Sequence, residues 1–467
     1  MHSSPDSNHA PARRDDGDDG NDAQFRRMTE TPVSRLICRL GAPTVASMLV
    51  TNLYNAGDAW FVSRLGTSAS GAVGIVFAVM AVFQAFGFLF GHGAGSTIAR
   101  LLGAGDAEGA KTYASTSFFL SLAFGTLCAA LGLAFLSPAA RAFGSTETIL
   151  PYARDYMRWL LLSGPFLAAG CTMNNILRYE GRAFYAMVGL LSGSVLNLAL
   201  DPLLMFGLGL GVSGAGLATA ISQFASFAIL LSMFRPGRTA SRIRPRFATV
   251  RPPVVGTILA VGSPSLVRNL FNCLSPIVLN HQAAAYGDAA IAAMSIVGRV
   301  GFFMAAVSIG VGQGMQPVVG FNYGARRYAR VRAAILFANA VGCATQAAVA
   351  LPCALRAGAI VAWFRDDPAV VAVGALALRW QSVTLVANHV TVGTNMLFQS
   401  IGFGGRASFL SALRNGLCFL PLVTLLPRWI GVRGVALAQP AADVLSFAVA
   451  LPFLVALLRK LPRDGAA

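Results

Sequence analysis

The chain has 467 residues, of which 55% are hydrophobic and only 12% are charged, and its mean hydropathy is +0.63. Soluble globular domains carry about 25% charged residues, so this composition excludes a water-soluble fold with an ordinary charged surface. The net charge of +17 is compatible with either a nucleic-acid partner or a membrane surface. The placement of the basic residues along the chain decides between the two.

Apolar runs of roughly 20 residues or more, long enough to cross a bilayer core as helices, recur along most of the chain. They lack the alternating pattern of a membrane β-barrel, so the sequence predicts an all-α membrane protein with twelve transmembrane helices. In chain order these helices are expected near residues 36–62, 69–99, 113–136, 152–176, 184–209, 214–234, 254–286, 289–317, 333–355, 369–398, 405–427 and 432–458.

Polar segments divide these helices into two lobes. Residues 1–33 are polar and lack the apolar region of a signal peptide, so we expect a disordered cytoplasmic tail. Residues 34–234 are predicted to form an amino-terminal lobe with helices 1–6, and 254–460 a carboxy-terminal lobe with helices 7–12. Residues 235–253 are a basic cytoplasmic linker between them, and 461–467 are a short C-terminal tail.

The basic residues are distributed unevenly between the two sides of the predicted bundle. Most of those outside the helices lie in the N-terminal tail, the even-numbered loops and the C-terminus. The odd-numbered loops carry only Arg64, Arg141, Arg154, Arg356, Arg365, Arg428 and Arg433. This positive-inside pattern predicts a multi-pass protein of the plasma (inner) membrane with both termini in the cytoplasm. The arginine-rich linker is then an anchor beside anionic lipid, and no nucleic acid is expected as a partner.

The two lobes are related by an internal repeat. A constant shift of 221 positions superimposes Gly41-Ala-Pro43 on Gly262-Ser-Pro264, Arg158-Trp159 on Arg379-Trp380, and Asn174 on Asn395. Each lobe contains an even number of helices, so both enter the membrane from the same side. They are therefore expected to be related by a pseudo-twofold axis along the membrane normal. Transporters built from such repeats bind substrate between the lobes and alternate access by rocking them.

Away from the loops and the adjoining helix ends only three carboxylates are found, and each costs at least about 2.5 kcal/mol in hydrocarbon. Asp58 in helix 1 follows Asn55 by three residues, and Asp201 in helix 5 follows Asn197 by four, which places each pair on one helix face. Asp443 in helix 12 has fewer polar neighbours, and we interpret it as a residue near a membrane interface without a role in energy coupling.

The first two carboxylates are suited to binding a coupling ion. Carboxylates in a low-dielectric site favour reversible protonation, and carboxylate and amide oxygens also suit a hard cation such as Na⁺. Asp58, Asn197 and Asp201 are therefore a candidate H⁺ or Na⁺ site. The shifted positions in the second lobe are Leu279 and Leu422, so we expect the coupling ion in the amino-terminal lobe and no other metal or cofactor.

Other polar or flexible residues in the spans are candidates for the substrate cavity, namely Asn55, Met205, Gln316 and Asn272. Arg268 and Arg299 fall in or near helices 7 and 8, where they could meet an anionic substrate or extend to the interface. The cavity candidates as a set are mostly apolar or acidic.

Catalytic chemistry is not indicated. The sequence has no phosphate loop, no nucleophile–base pair and no cluster of metal ligands, and its seven cysteines occur singly without a CxxC pair. A membrane-embedded enzyme and direct ATP hydrolysis are therefore both disfavoured. An ion gradient remains as the expected energy source.

Three runs resemble a known family. LGAPTVASMLVTNLYNAGDAWFVSRLGTSASGAVGI and FLFGHGAGSTIARLLGAGDAEGAKTYAS are similar to the first and second helices of multidrug and toxic compound extrusion (MATE) transporters. NLALDPLLMFGLGLGVSGAGLATAIS is similar to their fifth and sixth. The resemblance covers about residues 34–460 and implies a twelve-helix, two-lobed exporter of cationic or amphiphilic drugs, driven by H⁺ or Na⁺ antiport and acting as a monomer.

The resemblance is closest to the DinF-like branch of that family. In this branch an ion site in the amino-terminal lobe uses an Asp in helix 1 and an Asn-x-x-x-Asp-Pro motif in helix 5. The matching positions are Asp58, Asn197 and Asp201, and the resemblance implies Asn174, Tyr156 and Thr219 as their companions. The NorM-like branch has acids in helices 7 and 10, which this sequence lacks.

One alternative keeps the architecture and changes the cargo. A flippase for lipid-linked or other amphiphilic substrates would have a large inner cavity rich in cationic side chains. The cavity candidates of this sequence do not match that description, so the sequence favours drug export.

Overall fold

The computed structural model describes residues 16–235 and 237–462, apart from the side chains of residues 16–21, 52–56, 59, 67, 75 and 76. Within these residues the chain forms helices and no strand. The first part contains α1 (Asp16–Glu30), α2 (Val33–Ser63), α3 (Thr67–Gly103), α4 (Ala107–Ala134), α5 (Leu136–Ala142), α6 (Leu150–Tyr179), α7 (Ala183–Pro202) and α8 (Gly211–Met233).

The second part repeats this order of elements. It contains α9 (Pro252–Ala284), α10 (Asp288–Gly324), α11 (Tyr328–Leu355), α12 (Ala357–Phe364), α13 (Pro368–Ser400), α14 (Gly404–Ala412), α15 (Phe419–Ile430) and α16 (Val432–Lys460). A short 3-10 helix, Pro245–Phe247, lies in the linker. Twelve helical stretches in the described residues are long and apolar enough to cross a membrane, which confirms the predicted number. The ends of these helices lie within seven residues of the predicted ones, and the largest difference is at the end of α10.

Each lobe contains a π-helical segment in its fifth span, Leu203–Gly207 after α7 and Leu413–Cys418 between α14 and α15, but the repeat does not superimpose the two segments. The first follows Pro202, which has no backbone N–H to donate to the preceding turn and so disturbs the regular α-helical pattern. Such a segment often marks a functional site within a helix.

Because twelve spans bring both termini to one side of the membrane, we call this side the terminal side and the other the opposite side. The two lobes touch most closely near the terminal side. A Cβ atom added to Gly103 would lie 2.0 Å from the carbonyl oxygen of Phe321, and one added to Gly324 would lie 2.0 Å from that of Arg100. These two contacts are related by the internal repeat, because the same shift of 221 positions connects their residues. The interface therefore follows the pseudo-twofold axis and depends on glycine at both positions.

The N-terminal region differs from the prediction. The expectation of disorder for residues 1–33 is wrong for the part that forms α1, while residues 1–15 lie outside the described ranges. Met28 and Thr29 are fully buried. Asn322 donates to the carbonyl oxygen of Met28 at 3.1 Å, and Arg327 donates to that of Thr29 at 3.0 Å. Tertiary contacts with the end of α10 thus order a polar segment that could not form a stable helix by itself.

Candidate functional site

Five of the predicted ion-site residues form one connected cluster inside the amino-terminal lobe. Tyr156 donates its hydroxyl hydrogen to Asp58 at 3.3 Å, and its oxygen lies 3.5 Å from that of Thr219. Asn197 is 3.4 Å from both the Asp201 carboxylate and the Thr219 hydroxyl. In its alternative amide orientation Asn197 donates to Asp201 at 3.2 Å and accepts from the Thr219 N–H at 3.2 Å. We call these five residues the carboxylate cluster.

The two acids of the cluster are buried without a counter-charge. Asp58 is 4% exposed and Asp201 is fully buried. Neither forms an ion pair with any residue that the structure describes, and the Oδ1 atom of Asp58 has no hydrogen-bond partner among them. Hydrogen bonds through Tyr156, Thr219 and Asn197 connect the two carboxylates in one site. Two negative charges in a low-dielectric interior favour the uptake of a positive charge, so the cluster can hold a proton or a cation.

Asn174 does not belong to this cluster, and its expected role as a companion of the acids is wrong. It lies 18 residues after Tyr156 on α6, which corresponds to about 27 Å along a helix that rises 1.5 Å per residue. Its side chain donates to the carbonyl oxygen of Ala186 at 2.8 Å. Asn395, its partner in the repeat, donates to the carbonyl oxygen of Ala407. The repeat itself was the signal that Asn174 belongs to the shared scaffold.

The third intramembrane acid is also placed differently from the prediction. Asp443 is only 1% exposed, and the Nε atom of Arg414 lies 2.6 Å from its Oδ1. Gln439 donates to the same carboxylate at 3.1 Å and Thr384 at 3.3 Å. Asp443 therefore does not lie in a region with few polar neighbours. Its charge is compensated by Arg414, which comes from the π-helical segment of the second lobe.

A cavity of about 470 Å³ lies between the lobes, beside the close contacts at the terminal side. Asn197 and Thr219 line it and also belong to the carboxylate cluster. Of the predicted cavity residues, Asn272 lines the cavity, whereas the side chain of Asn55 lies outside the described residues.

The other two predicted cavity residues do not line it. Met205 is 2% exposed and packs inside the amino-terminal lobe. Gln316 is 2% exposed and lies near Gln399, with 3.5 Å between the side-chain amide nitrogen of the first and the amide oxygen of the second. Their expected contact with substrate is not supported, because both side chains are directed into packed regions.

The polarity of the cavity overturns one expectation. No Asp or Glu lines it among the described residues, whereas Arg178 and Arg268 do. The expectation of a mostly apolar or acidic cavity is therefore wrong in its acidic part. Arg178 is not among the predicted cavity residues because the predicted fourth span ends at residue 176, which assigns this arginine to a loop. In the structure α6 continues to Tyr179, so the side chain remains inside the bundle.

Comparisons with known proteins agree with this architecture. The MatE family model matches residues 43–203 and 264–425, one match in each lobe. Multidrug export protein MepA of Staphylococcus haemolyticus (strain JCSC1435) is 28% identical over 95% of this chain and 98% of its own length. MepA of Staphylococcus aureus (strain MRSA252) is 26% identical over 94% of this chain and 97% of its own length.

Two solved structures are similar along nearly their whole length. One is described as an outward-facing conformation of a multidrug resistance MATE family transporter of the MOP superfamily. The other is a MOP superfamily transporter from Pyrococcus furiosus Vc1, whose binding pocket is described as having reverse polarity. Each has a TM-score of 0.87 and 28% sequence identity, and covers 94% of this chain and 98% of its own. The chain belongs to the MatE family and is, like the other members, a membrane transporter and not an enzyme.

Proposed function

We propose that the chain is a cation-coupled antiporter that exports small amphiphilic drugs and toxic compounds by alternating access, with H⁺ or Na⁺ as the coupling cation. One observation carries this proposal: Asn197 and Thr219 belong to the carboxylate cluster and also line the cavity. A change of charge can therefore reach the cavity from Asp201 through one hydrogen bond to Asn197, and from Asp58 through Tyr156 to Thr219. The names of the MepA relatives support drugs as the cargo.

The cluster couples ion uptake to cavity shape in a simple way. When Asp201 binds a proton or a cation, its carboxylate no longer accepts from Asn197 in the same manner, because one oxygen becomes a donor or a ligand. Asn197 then reorients against Thr219, and both side chains move in the cavity wall. Binding of the cation at the carboxylate cluster then changes the affinity of the cavity for the substrate, so that uptake of one promotes release of the other.

The contacts between the lobes support alternating access. The glycine contacts at Gly103 and Gly324 close the terminal side, and Ser96 and Arg100 donate to carbonyl oxygens of Gln399 and Ser400 across the same interface. With the termini in the cytoplasm, as the positive-inside pattern predicts, this is an outward-facing arrangement in the plasma (inner) membrane. Export then requires these contacts to open and the opposite side to close, which one chain can perform as a monomer.

Neutral variants of the acids test the coupling. We expect Asp58→Asn and Asp201→Asn, reconstituted in liposomes at equal density, to lose gradient-driven efflux of a fluorescent drug. Asp155→Asn is the matched control, because Asp155 is an exposed carboxylate next to Tyr156 on α6. A pH gradient and a Na⁺ gradient are imposed separately, and the one that drives efflux identifies the cation. Undiminished efflux by both variants would contradict the assignment.

A second candidate function, a flippase for lipid-linked or other amphiphilic substrates, is favoured by one observation, the arginines of the cavity. A cationic cavity is what this alternative predicts. Deletion of the gene separates the two functions, because loss of an exporter increases drug sensitivity, whereas loss of a flippase for lipid-linked sugars causes a cell-wall defect.

A further inference from the structure

We propose that the cavity binds an anionic group of the substrate, a carboxylate or a phosphate on an amphiphilic molecule, between Arg178 of the amino-terminal lobe and Arg268 of the carboxy-terminal lobe. The inference rests on the proposed function for the direction of transport, but the recognition itself is an equilibrium property of the cavity. This recognition identifies the chemical class of the cargo as an anionic amphiphile.

The two guanidinium groups make few hydrogen bonds, and all of these go to neutral acceptors. Arg178 donates to the Oδ1 atom of Asn174 at 3.4 Å. Arg268 donates to the Oδ1 atom of Asn395 at 3.2 Å and to the hydroxyl of Ser265 at 3.4 Å. A guanidinium carries five N–H donors, so each arginine retains donors for a ligand. Asn174 and Asn395 are the repeat-related residues of the scaffold, and each therefore holds one arginine at the cavity.

Neither arginine forms an ion pair with an acid in the part of the chain that the structure describes. The cavity lining contains no Asp or Glu among the described residues, and the three ion pairs in that part of the chain involve other arginines and a lysine. Cations inside a membrane are costly and normally pair with an anion or mark the path of one. The negative charge that would pair with Arg178 and Arg268 is therefore supplied by a bound ligand.

The two arginines converge on the same part of the cavity from the two lobes. His92 also lines the cavity and is 1% exposed, and its ring centroid lies 5.9 Å from that of Tyr179, the residue that follows Arg178. The Nδ1 atom of His92 lies 3.1 Å from the hydroxyl of Ser265, to which Arg268 donates. An anion between the arginines would thus contact both lobes. Such a ligand stabilises the arrangement in which the lobes are closed at the terminal side.

The rest of the cavity suits an apolar body attached to this anion. Phe88, Phe166, Met187, Leu190 and Phe302 contribute aromatic and flexible apolar side chains to its wall. Aromatic and apolar walls with a few convergent polar groups are typical of small-molecule sites. A cationic amphiphile would find the same apolar walls but would be repelled by two positive charges, so the charge of the ligand decides its affinity.

Matched probes with one alkyl chain and different charges test this inference. Hexyl phosphate, hexanoate and hexyltrimethylammonium are titrated calorimetrically into the full-length protein in a neutral detergent. We expect the two anions to bind and the cation to bind at least about tenfold more weakly, because a charge-assisted hydrogen bond contributes on the order of one tenfold step in affinity.

Single variants assign the binding to the two arginines. Arg178→Gln and Arg268→Gln are each expected to weaken anion binding by about tenfold, whereas Arg178→Lys and Arg268→Lys retain most of it because they keep the charge. Arg178→Gln is a conservative change, because the repeat places Gln399 at the corresponding position. Arg235→Gln in the linker is the control, since that arginine is exposed. Equal binding of all three probes, or unchanged anion binding by both Gln variants, would overturn the proposal.

Liposome assays identify the source of the anion. Export of labelled hexyl phosphate supports a free anionic amphiphile, and movement of labelled phosphatidylglycerol between leaflets supports a lipid headgroup. If only the cationic probe is transported, the arginines do not select the cargo and the proposal fails. Failure of the ion coupling has a different signature, because transport then no longer responds to the imposed gradients while the calorimetric preference for anions remains.

Discussion

The two lobes share a scaffold but distribute their charges differently. Asn174 donates to Ala186 in the first lobe, and Asn395 donates to Ala407 in the second, at positions related by the same shift. Glycine contacts at the lobe interface are repeated in the same way. The ionisable groups are not repeated. Within its membrane spans the first lobe buries two acids that form no ion pair with any described residue, whereas the intramembrane acid of the second lobe pairs with an arginine.

This difference separates structural from functional charge. A buried acid with a cationic partner is already compensated, and removing the partner leaves an uncompensated charge that costs stability. Buried acids without a partner are compensated only by a proton or a cation, so they can respond to an ion gradient. We therefore expect replacement of the intramembrane acid of the second lobe to reduce stability. Replacement of the intramembrane acids of the first lobe is expected to impair coupling to the ion gradient.

The largest expected effect is on the stability of the second lobe. Asp443→Asn should destabilise the protein by about 3 kcal/mol, because it leaves Arg414 without its charged partner, whereas Asp201→Asn should cost little or nothing. Thermal unfolding of both variants in the same detergent measures the contrast. Replacing Asp443 and Arg414 together by leucine should restore most of the loss. Equal losses for the two single variants would mean that the lobes do not differ in this way.

A smaller effect is expected at the interface that both lobes share. Gly103→Ala and Gly324→Ala should each disfavour closure of the terminal side by about 1–3 kcal/mol, because the added Cβ meets a carbonyl oxygen of the other lobe. Faster hydrogen–deuterium exchange of the segments around both glycines would report the opening. Gly256→Ala is the control, because a Cβ there has no neighbour within 4 Å. If only one of the two variants increases exchange, the interface is not symmetric.

The smallest expected effect concerns a buried acid outside the spans. Glu180 follows α6, is 2% exposed and accepts a hydrogen bond from the Ser241 N–H at 2.9 Å. Burial raises the pKa of Glu180 from its ordinary value of 4.5 to about 7. The native state therefore binds more protons than the unfolded state in this range, and stability falls as the pH rises from 4.5 through 7.

Substitution of Glu180 isolates this contribution. Glu180→Gln should remove part of the decrease in melting temperature between pH 5 and pH 8, because glutamine does not titrate. The second lobe has the buried residue Ile401 at the corresponding position, so that position adds no pH dependence to the stability. An unchanged difference between the two pH values in the variant would show that Glu180 does not carry the dependence.

Much of the fold could be predicted because membrane helices satisfy their own backbone hydrogen bonds, which makes length and hydropathy sufficient to locate them. The internal repeat could also be predicted, because residues such as Gly41 and Gly262 recur at a constant spacing. The disorder predicted for the N-terminal tail was wrong because α1 depends on contacts with α10 that are distant in the sequence. A polar segment gives no local signal of such contacts.

The site was predicted in part. Asp58, Asp201 and Asn197 were identified because an acid in an apolar run is conspicuous, and the family resemblance contributed Tyr156 and Thr219. The companion role of Asn174 and the cavity positions of Met205 and Gln316 were wrong. Asn174 is separated from the acids by its position along α6. For Met205 and Gln316, small differences in helix rotation decide whether a side chain faces the cavity.

The class of this protein follows from its sequence alone: twelve membrane helices, two related lobes and two intramembrane acids in the first of them. Local hydropathy and the spacing of repeated residues carry that information directly. The folded molecule was needed to show that Asp443 is paired, that Asn197 and Thr219 connect the acids to the cavity, and that Arg178 and Arg268 line it from the two lobes. Charge compensation depends on distances between helices far apart in the chain, and these distances exist only after the lobes have packed.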